Sequence, residues 1–264
     1  MLSDADGVIA GTEPLDASVL EQAGRLRVIS RVGVGLDNVD LVAARRLGIA
    51  VRNTPDAVTD AAAELTLAGM LGVLRHVSQM DADMRAGKWT RRMGGLLRGK
   101  TVGIVGFGRV GRRLAELLAP FRLRLLAHDV LPDRVAAAAL DVEIVELREL
   151  LVAVDIVTLH LSGPPEECVV AAPELALLRP GAIVVNASRG GYVDESALQA
   201  ALAEGRLGGA YLDTFEHEPY DGPLRELPNV VLTPHAGSYA REARARMEIE
   251  AVENLLEALG QPRQ

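Results

Sequence analysis

The sequence predicts an α/β fold, with a doubly wound parallel sheet in one domain and a second, smaller domain. Three observations support this prediction. Apolar runs of strand length alternate with helical patterns along the 264 residues. The connections are short, so that six or seven strands with such crossovers specify a parallel sheet. One strand, at residues 101–105, leads into three glycines with a fixed spacing and then into a helix.

The first part of the chain has the pattern of an α/β unit of its own. Strands are predicted at 7–10, 27–31 and 49–53, and helices at 16–23 and 41–47. A long helix is predicted from Thr59 to about Arg85, because Ala, Leu and Met recur on one face and Thr59 or Asp60 offers an N-cap. Residues 85–99 are predicted to form an exposed arm.

The remaining elements continue the alternation after residue 118. Strands are predicted at 123–127, 142–145, 155–160, 182–187, 209–213 and 230–232, and helices at 133–139, 173–178 and 195–204. A last helix over 240–259 is expected to pack on the first domain. The predicted domains are therefore residues 1–60 completed by 239–264, and residues 61–238.

Composition narrows the class of protein. The hydrophobic content of 49% is ample for a buried core. The net charge of −8 argues against a nucleic-acid or anionic-membrane partner, because the field would repel phosphates. No window is expected to approach a membrane span of about 20 apolar residues, and no signal peptide is recognised, which predicts a cytoplasmic protein.

Cysteine and metal chemistry are not expected. Cys168 is the only cysteine, so no internal disulfide can form, and its expected role is that of a half-buried small apolar residue. No cluster of Cys and His has the spacing of metal ligands, and no metal is predicted.

The glycine fingerprint indicates a dinucleotide site. Gly106 permits a tight turn, Gly108 lets the backbone approach a diphosphate, and Gly111 allows the helix to pack closely on the strand. Asp129 ends the next strand, where a carboxylate accepts hydrogen bonds from the ribose hydroxyls of NAD and repels the 2′-phosphate of NADP. NADP stays an alternative to NAD, because the cation Arg134 follows Asp129 closely in the sequence. An ordinary strand–helix connection is the alternative to a nucleotide site, since glycine turns also occur there.

Polar residues follow three later strands at the edge where ligands bind such sheets. The segments are 186–191, 213–219 and 233–238, and they offer a guanidinium, acids and an imidazole. Six ordered motifs resemble the D-2-hydroxyacid dehydrogenase family, nearest to its D-3-phosphoglycerate dehydrogenase branch. They are RVGVGLDNVD at 31–40, AAAELTLAGML at 61–71, GFGRVG at 106–111, VVNASRGGYVDE at 184–195, LDTFEHEP at 212–219 and TPHAGS at 233–238.

The resemblance implies a set of site residues. The implied catalytic residues are Arg189, Glu218 and His235, the implied cofactor contacts are Gly106, Gly108, Arg109, Val110, Gly111, Asp129, Ala187, Ser188, Asp213 and Gly237, and the implied substrate contacts are Gly33, Val34 and Arg189. Glu216 is a local rival of Glu218, which is preferred because the family's acid directly precedes proline.

The implied roles agree with the chemistry of hydride transfer. His235 takes and returns the hydroxyl proton, and Glu218 fixes its tautomer and stabilises the imidazolium. Arg189 holds the substrate carboxylate. Asp213 is expected to orient the nicotinamide carboxamide. His160 is expected to be a structural histidine despite its place beside the cofactor.

The predicted function is therefore NAD-dependent hydride transfer between nicotinamide and a D-2-hydroxy acid or its 2-keto partner. Phosphoglycerate is the first substrate to test, followed by glyoxylate and hydroxypyruvate. The alternative is a catalytically idle NAD(H) sensor or interaction module. The resemblance also implies a homodimer formed through the cofactor domain and the arm at 76–98.

One departure from the family concerns the first domain. The first strand–helix–strand–helix of the family's substrate domain is missing before residue 6. We expect a weakened or edge-paired first domain, an alternative start or an incomplete gene model, which the mass of the natural product would distinguish.

Overall fold

The computed structural model describes residues 2–163 and 165–260, and it divides the chain into two compact units. Unit 1 combines Met1–Ala61 with Ser238–Gln264, and unit 2 is Ala62–Gly237. Residues 1 and 261–264, at the outer ends of the predicted segments 1–60 and 239–264, lie outside the described residues.

The described residues form the following elements. The strands are β1 (Gly7–Ala10), β2 (Val28–Arg31), β3 (Ala50–Arg52), β4 (Thr101–Val105), β5 (Arg124–His128), β6 (Val142–Ile144), β7 (Ile156–Leu159), β8 (Ile183–Asn186), β9 (Gly209–Leu212) and β10 (Val230–Leu232). The helices are α1 (Ala17–Glu21), α2 (Leu41–Arg46), α3 (Pro55–Leu74), α4 (Val77–Arg85), α5 (Arg109–Leu118), α6 (Arg134–Ala139), α7 (Leu147–Ala153), α8 (Ala172–Leu177), α9 (Glu195–Ala203) and α10 (Arg241–Gly260).

Unit 1 is built on a parallel sheet in the order β1-β2-β3. Asp16 and Asp40 cap α1 and α2, because each side chain accepts a hydrogen bond from a backbone N–H of the first turn. Helix α10 packs on the sheet, where the buried Ser30 hydroxyl donates to the carbonyl of Ala251 at 2.7 Å. A small apolar core that includes Leu20 lies within this unit.

Unit 2 contains a parallel sheet in the order β10-β9-β8-β7-β4-β5-β6, as far as the described residues show. The chain reverses direction across the sheet between β4 and β7, which is the topological switch point of a doubly wound fold. Adjacent strand residues belong to two different apolar clusters; for example, Val105 lies in one and Ile104 in the other. Both faces are therefore covered, and the predicted α/β Rossmann fold is confirmed.

The prediction of one helix over 59–85 is wrong. The chain forms α3 and α4, separated at His76, whose positive φ of 52° interrupts the helical ladder. Helix α3 begins at Pro55, a residue favoured at the first helical position, and the Thr59 hydroxyl donates to the Pro55 carbonyl inside the helix. Neither Thr59 nor Asp60 is therefore the N-cap.

Helix α3 also corrects the expectation that no segment approaches a membrane span. An 18-residue window of this 20-residue helix has a mean hydropathy of 1.4, so the helix is long and apolar enough to cross a membrane by length and composition alone. Half of that window is buried, and Ala63 and Met70 are wholly buried in the core of unit 2. These properties are also typical of a core helix in a soluble protein.

One helix was missed by the sequence analysis, and one residue differs from its expected burial. Helix α7, which packs against β4 and β5, is absent from the elements that the sequence pattern predicts. Cys168 is exposed, not half-buried, because it lies in the irregular connection between β7 and α8.

Candidate active site

The turn after β4 is shaped to admit a ligand. Gly106 has a φ of +93°, and a Cβ atom there would lie 2.6 Å from the carbonyl oxygen of His160. Space is open beside Gly108, the N-cap of α5. The first-turn amides of an α-helix have no partner within the helix, so this turn presents donors to an anion.

Asp129 lies next to this turn, one residue beyond β5. One of its carboxylate oxygens accepts from the N–H of Phe107 at 2.7 Å, and the other accepts from the N–H of Leu131 at 2.9 Å. A carboxylate oxygen has a further lone pair, so each can still accept a ribose hydroxyl. The glycine turn and this acid together fit the diphosphate and ribose of a dinucleotide.

Two arginines lie along the same edge. Arg112 donates to the Gly108 carbonyl at 3.3 Å and to the carboxylate of Asp133 at 2.8 Å. Arg134 is exposed and has no hydrogen bond or ion pair among the described residues.

His160 is a buried histidine directly after β7. Its Nε2 lies 2.9 Å from the hydroxyl oxygen of Thr158. Burial lowers the pKa of His160 to about 4, so the ring is neutral at physiological pH. The expected structural histidine is consistent with this geometry.

Glu218 and His235 form a hydrogen-bonded pair. Glu218 Oε2 lies 2.8 Å from Nδ1 of His235, and Oε1 of the same carboxylate accepts from the N–H of Phe215 at 3.0 Å. Because an ionised carboxylate only accepts, Nδ1 is assigned as the donor, which leaves Nε2 to exchange a proton. The side chain of His235 is 48% exposed and can therefore be reached by a ligand.

Asp213 anchors the loop that carries His235. Its carboxylate, in a residue only 1% exposed, accepts from the N–H groups of Ala236 and Gly237 at 2.8 Å and from the hydroxyl of Thr233. The N–H of His235 donates to the Asp213 carbonyl. These contacts hold His235 at a φ of +51°, which is unusual for a residue other than glycine.

Arg189 lies in the turn after β8. The side-chain amide of Asn186 donates to the Arg189 carbonyl at 2.7 Å, and Nη1 of Arg189 donates to the carbonyl of Ser188 at 2.8 Å. A Cβ atom on Gly190 would collide with the backbone of Phe215. The turn that bears Arg189 therefore packs directly on the segment that leads to Glu218.

The predicted substrate contacts in unit 1, Gly33 and Val34, differ in the hydrogen bonding of their backbone amides. The N–H of Gly33 donates to the buried hydroxyl of Thr54 at 2.8 Å, so this amide is already occupied. Binding of a substrate carboxylate by this amide would require that the bond to Thr54 be replaced, and the contact stays a prediction. The N–H of Val34 has no hydrogen bond among the described residues, and Val34 is 40% exposed.

Some of the predicted cofactor contacts already make hydrogen bonds within the protein, and the others are placed by their position in an element. The Ser188 hydroxyl donates to Asn186 Oδ1 at 2.9 Å, and the Gly237 amide binds Asp213. Arg109 and Val110 form the first turn of α5, with Gly111 buried behind them, and Ala187 is half-buried after β8. Their contacts with a cofactor stay predictions.

Sequence reasoning missed the residues that hold these loops. Asn186, Thr233 and Glu195 fix the turns through hydrogen bonds to their neighbours. All three lie within the quoted motifs at 184–195 and 233–238, but a motif does not show which hydrogen bonds its side chains make. Within the described ranges, no group of three or more His, Cys, Asp or Glu residues could hold a metal.

Known proteins match both the sequence and the fold. The profile for the NAD binding domain of D-isomer specific 2-hydroxyacid dehydrogenases matches residues 67–237. A glyoxylate reductase from Aeropyrum pernix is 42% identical over an alignment of 257 positions, which covers 93% of this chain and 77% of that protein. A D-3-phosphoglycerate dehydrogenase from Methanocaldococcus jannaschii is 40% identical over 92% of this chain and 48% of its own length.

The structural comparison agrees. The crystal structure of the TT0316 protein from Thermus thermophilus superposes with a TM-score of 0.92 and 40% identity, covering 99% of this chain and 86% of that one. Because 99% of this chain is covered, the likeness includes residues of both units.

Proposed function

The chain belongs to the D-2-hydroxyacid dehydrogenase family of NAD-dependent oxidoreductases, and we propose that its substrate is a small 2-keto acid of the glyoxylate class. The nicotinamide, when bound, supplies or accepts the hydride. The residues of this chain must then bind the acid, orient it and move the proton that accompanies the hydride.

The observation that carries the proposal is the pairing of His235 with Glu218. In the reduction direction, protonated His235 gives its Nε2 proton to the oxygen that becomes the hydroxyl. Glu218, held at Nδ1, stabilises the charged ring and fixes its orientation. In the oxidation direction, Nε2 takes the proton back.

Arg189 is the proposed binding group for the substrate carboxylate. Its guanidinium has the planar geometry that matches a carboxylate with two hydrogen bonds. The contact of Gly190 with Phe215 supports a place for Arg189 near the Glu218 segment. Val34, a half-exposed residue of unit 1, stays a proposed substrate contact.

The sequence alone put 3-phosphoglycerate first among the substrates to test, whereas the coverage of the relatives favours glyoxylate. The glyoxylate reductase and the phosphoglycerate dehydrogenase are nearly equally similar in sequence, at 42% and 40% identity. The chain spans 77% of the former and about half of the latter. 3-Phosphoglycerate is the second candidate, because that relative is 40% identical to this chain.

A substrate panel tests the proposal. NADH consumption is measured with glyoxylate and hydroxypyruvate, and NAD reduction with 3-phosphoglycerate, for the wild type, His235→Ala and the exposed control His217→Ala. We expect turnover of glyoxylate that is lost only in His235→Ala. Activity restricted to 3-phosphoglycerate would contradict the substrate, and tight NADH binding without turnover of any acid would contradict catalysis.

The quaternary state and location are also proposals. We propose a homodimer formed through the cofactor domain and the arm at 76–98, because Trp89, Met93 and Leu96 are 77%, 96% and 69% exposed in the arm. A cytoplasmic location is a separate proposal, which rests on membership of this dehydrogenase family. Analytical ultracentrifugation of the wild type and of a Trp89→Ser, Met93→Ser, Leu96→Ser variant tests this. A monomeric wild type would contradict the dimer.

A further inference from the structure

Glu195 is a carboxylate for which the proposed chemistry has no use. It is the first residue of α9, and its Oε1 accepts from the backbone N–H of Glu216 at 2.6 Å. The residue is half-buried, and burial raises the pKa of its carboxyl group. A titratable side chain is therefore held where ionisation is disfavoured, with a backbone amide as its hydrogen-bond donor.

The segment that it binds carries Glu218. Two consecutive amides there donate to two different carboxylates: the N–H of Phe215 to Glu218, and the N–H of Glu216 to Glu195. The backbone of the same segment is in contact with Gly190. Glu195 thus supplies the third contact to the segment that leads to Glu218, the hydrogen-bonding partner of His235.

The charges around Glu195 do not explain its position. The negative charges of Glu216 and Glu218 raise its pKa, and His217 partly offsets them. Two like charges nearby disfavour the ionised group, whereas the short bond to the Glu216 amide favours it. The hydrogen bond from the Glu216 amide is therefore the favourable interaction that Glu195 makes in this position.

The cap and the apolar anchoring of helix α9 do not depend on Glu195, whose charge in the first turn only complements the helix dipole. Asp194 is the N-cap and accepts from the N–H of Ala197 at 2.9 Å. The helix is anchored by Leu198, Ala201 and Leu202, which are buried. Loss of the Glu195 side chain would remove neither the cap nor the apolar contacts of the helix.

We propose that Glu195 is a positioning residue, which fixes the Glu216 amide and thereby holds Glu218 in contact with His235. This inference rests on the proposed function, in which Glu218 and His235 are the catalytic pair. Glu195 itself touches neither substrate nor the proton that is moved.

Three variants test the inference. Glu195→Ala removes the acceptor, Glu195→Gln retains a side-chain oxygen for the Glu216 amide, and Glu204→Gln changes an exposed glutamate at the end of the same helix. For Glu195→Ala we expect a kcat about tenfold lower, from the lost charge-assisted bond, with the KM for the keto acid and the affinity for NADH within about twofold of the wild type. Glu195→Gln should retain about half of the wild-type kcat or more, since the positioning contact persists.

Hydrogen exchange supplies a readout that does not depend on activity. Amide exchange in residues 214–219 should accelerate about tenfold in Glu195→Ala and stay near the wild-type rate in Glu195→Gln and Glu204→Gln. Unchanged exchange and unchanged kcat in Glu195→Ala would overturn the proposal, as would equal losses in Glu195→Ala and Glu195→Gln. If His235→Ala retains full activity, the proposed function fails, while the exchange result still decides whether Glu195 holds the segment.

Discussion

His160 should make the protein sensitive to mild acid. The folded protein holds this histidine with a pKa of about 4, against 6.5 for the unperturbed side chain, because burial disfavours the charged ring. Between these two values the unfolded chain binds more protons than the folded one. Acidification in this window therefore lowers the free energy of unfolding, and the loss is complete below about pH 4.

The size of the effect follows from the two pKa values. Linkage predicts a loss of about 2 kcal/mol between pH 7 and pH 5, and about 3 kcal/mol in total in more acidic solution. Because His160 lies against Gly106, the acid-sensitive group is in the unit with the glycine turn.

Urea unfolding at pH 7 and pH 5 measures this loss in the wild type and in His160→Gln, with the exposed His217→Gln as the control. Glutamine keeps a polar atom within reach of the Thr158 hydroxyl but does not titrate in this range. We expect the loss of stability to be smaller by about 2 kcal/mol in His160→Gln only. An identical pH dependence in all three proteins would refute the reasoning.

Three further changes have definite expected outcomes. Gly106→Ala should abolish NADH binding in a fluorescence titration, because the added Cβ atom would lie 2.6 Å from the carbonyl oxygen of His160. Normal binding would contradict the assignment of the glycine turn as the cofactor site. Asp129→Ser should raise the affinity for NADPH relative to NADH at least tenfold, since the carboxylate repels a 2′-phosphate; an unchanged ratio in the same titration would refute its role. Glu218→Gln should lower kcat about tenfold, because it weakens a partly exposed charge-assisted bond to His235; steady-state rates within twofold of the wild type would exclude that function.

Local patterns predicted the parallel strands well. The strands at Gly7–Ala10, Thr101–Val105 and Val230–Leu232 coincide with their predicted bounds, and the others differ by about one residue at one or both ends. Short apolar runs between turn signals are typical of strands buried on both faces. The glycine fingerprint added the position of the switch point, because a turn of that kind follows the first strand of a Rossmann unit.

The helices were less predictable where tertiary structure decides. The left-handed conformation of His76 has no specific signal in the sequence, because His76, Val77 and Ser78 have only modest helix propensity and also occur inside helices, so the pattern did not reveal the division of the predicted 59–85 helix. The short helix α7 is also held by contacts with the sheet, which a sequence window does not contain.

The site was predictable by residue type but not by hydrogen bonding. The motifs supplied Glu218 and His235, whereas the engagement of the Gly33 amide by Thr54 became visible only in three dimensions. Asp213 illustrates the same point, because its carboxylate is nearly enclosed by the loop of His235. Hydrogen bonds between distant loops depend on the fold and leave no local pattern.

The central claim is that His235 exchanges the proton that accompanies hydride transfer. Single-turnover oxidation of NADH by saturating glyoxylate tests it most directly, in wild type and His235→Ala samples whose NADH affinities are measured first. We predict equal affinities and a rate at least about a hundredfold lower in His235→Ala, the usual contribution of a general acid. A variant that binds NADH and oxidises it at the wild-type rate would contradict the mechanism.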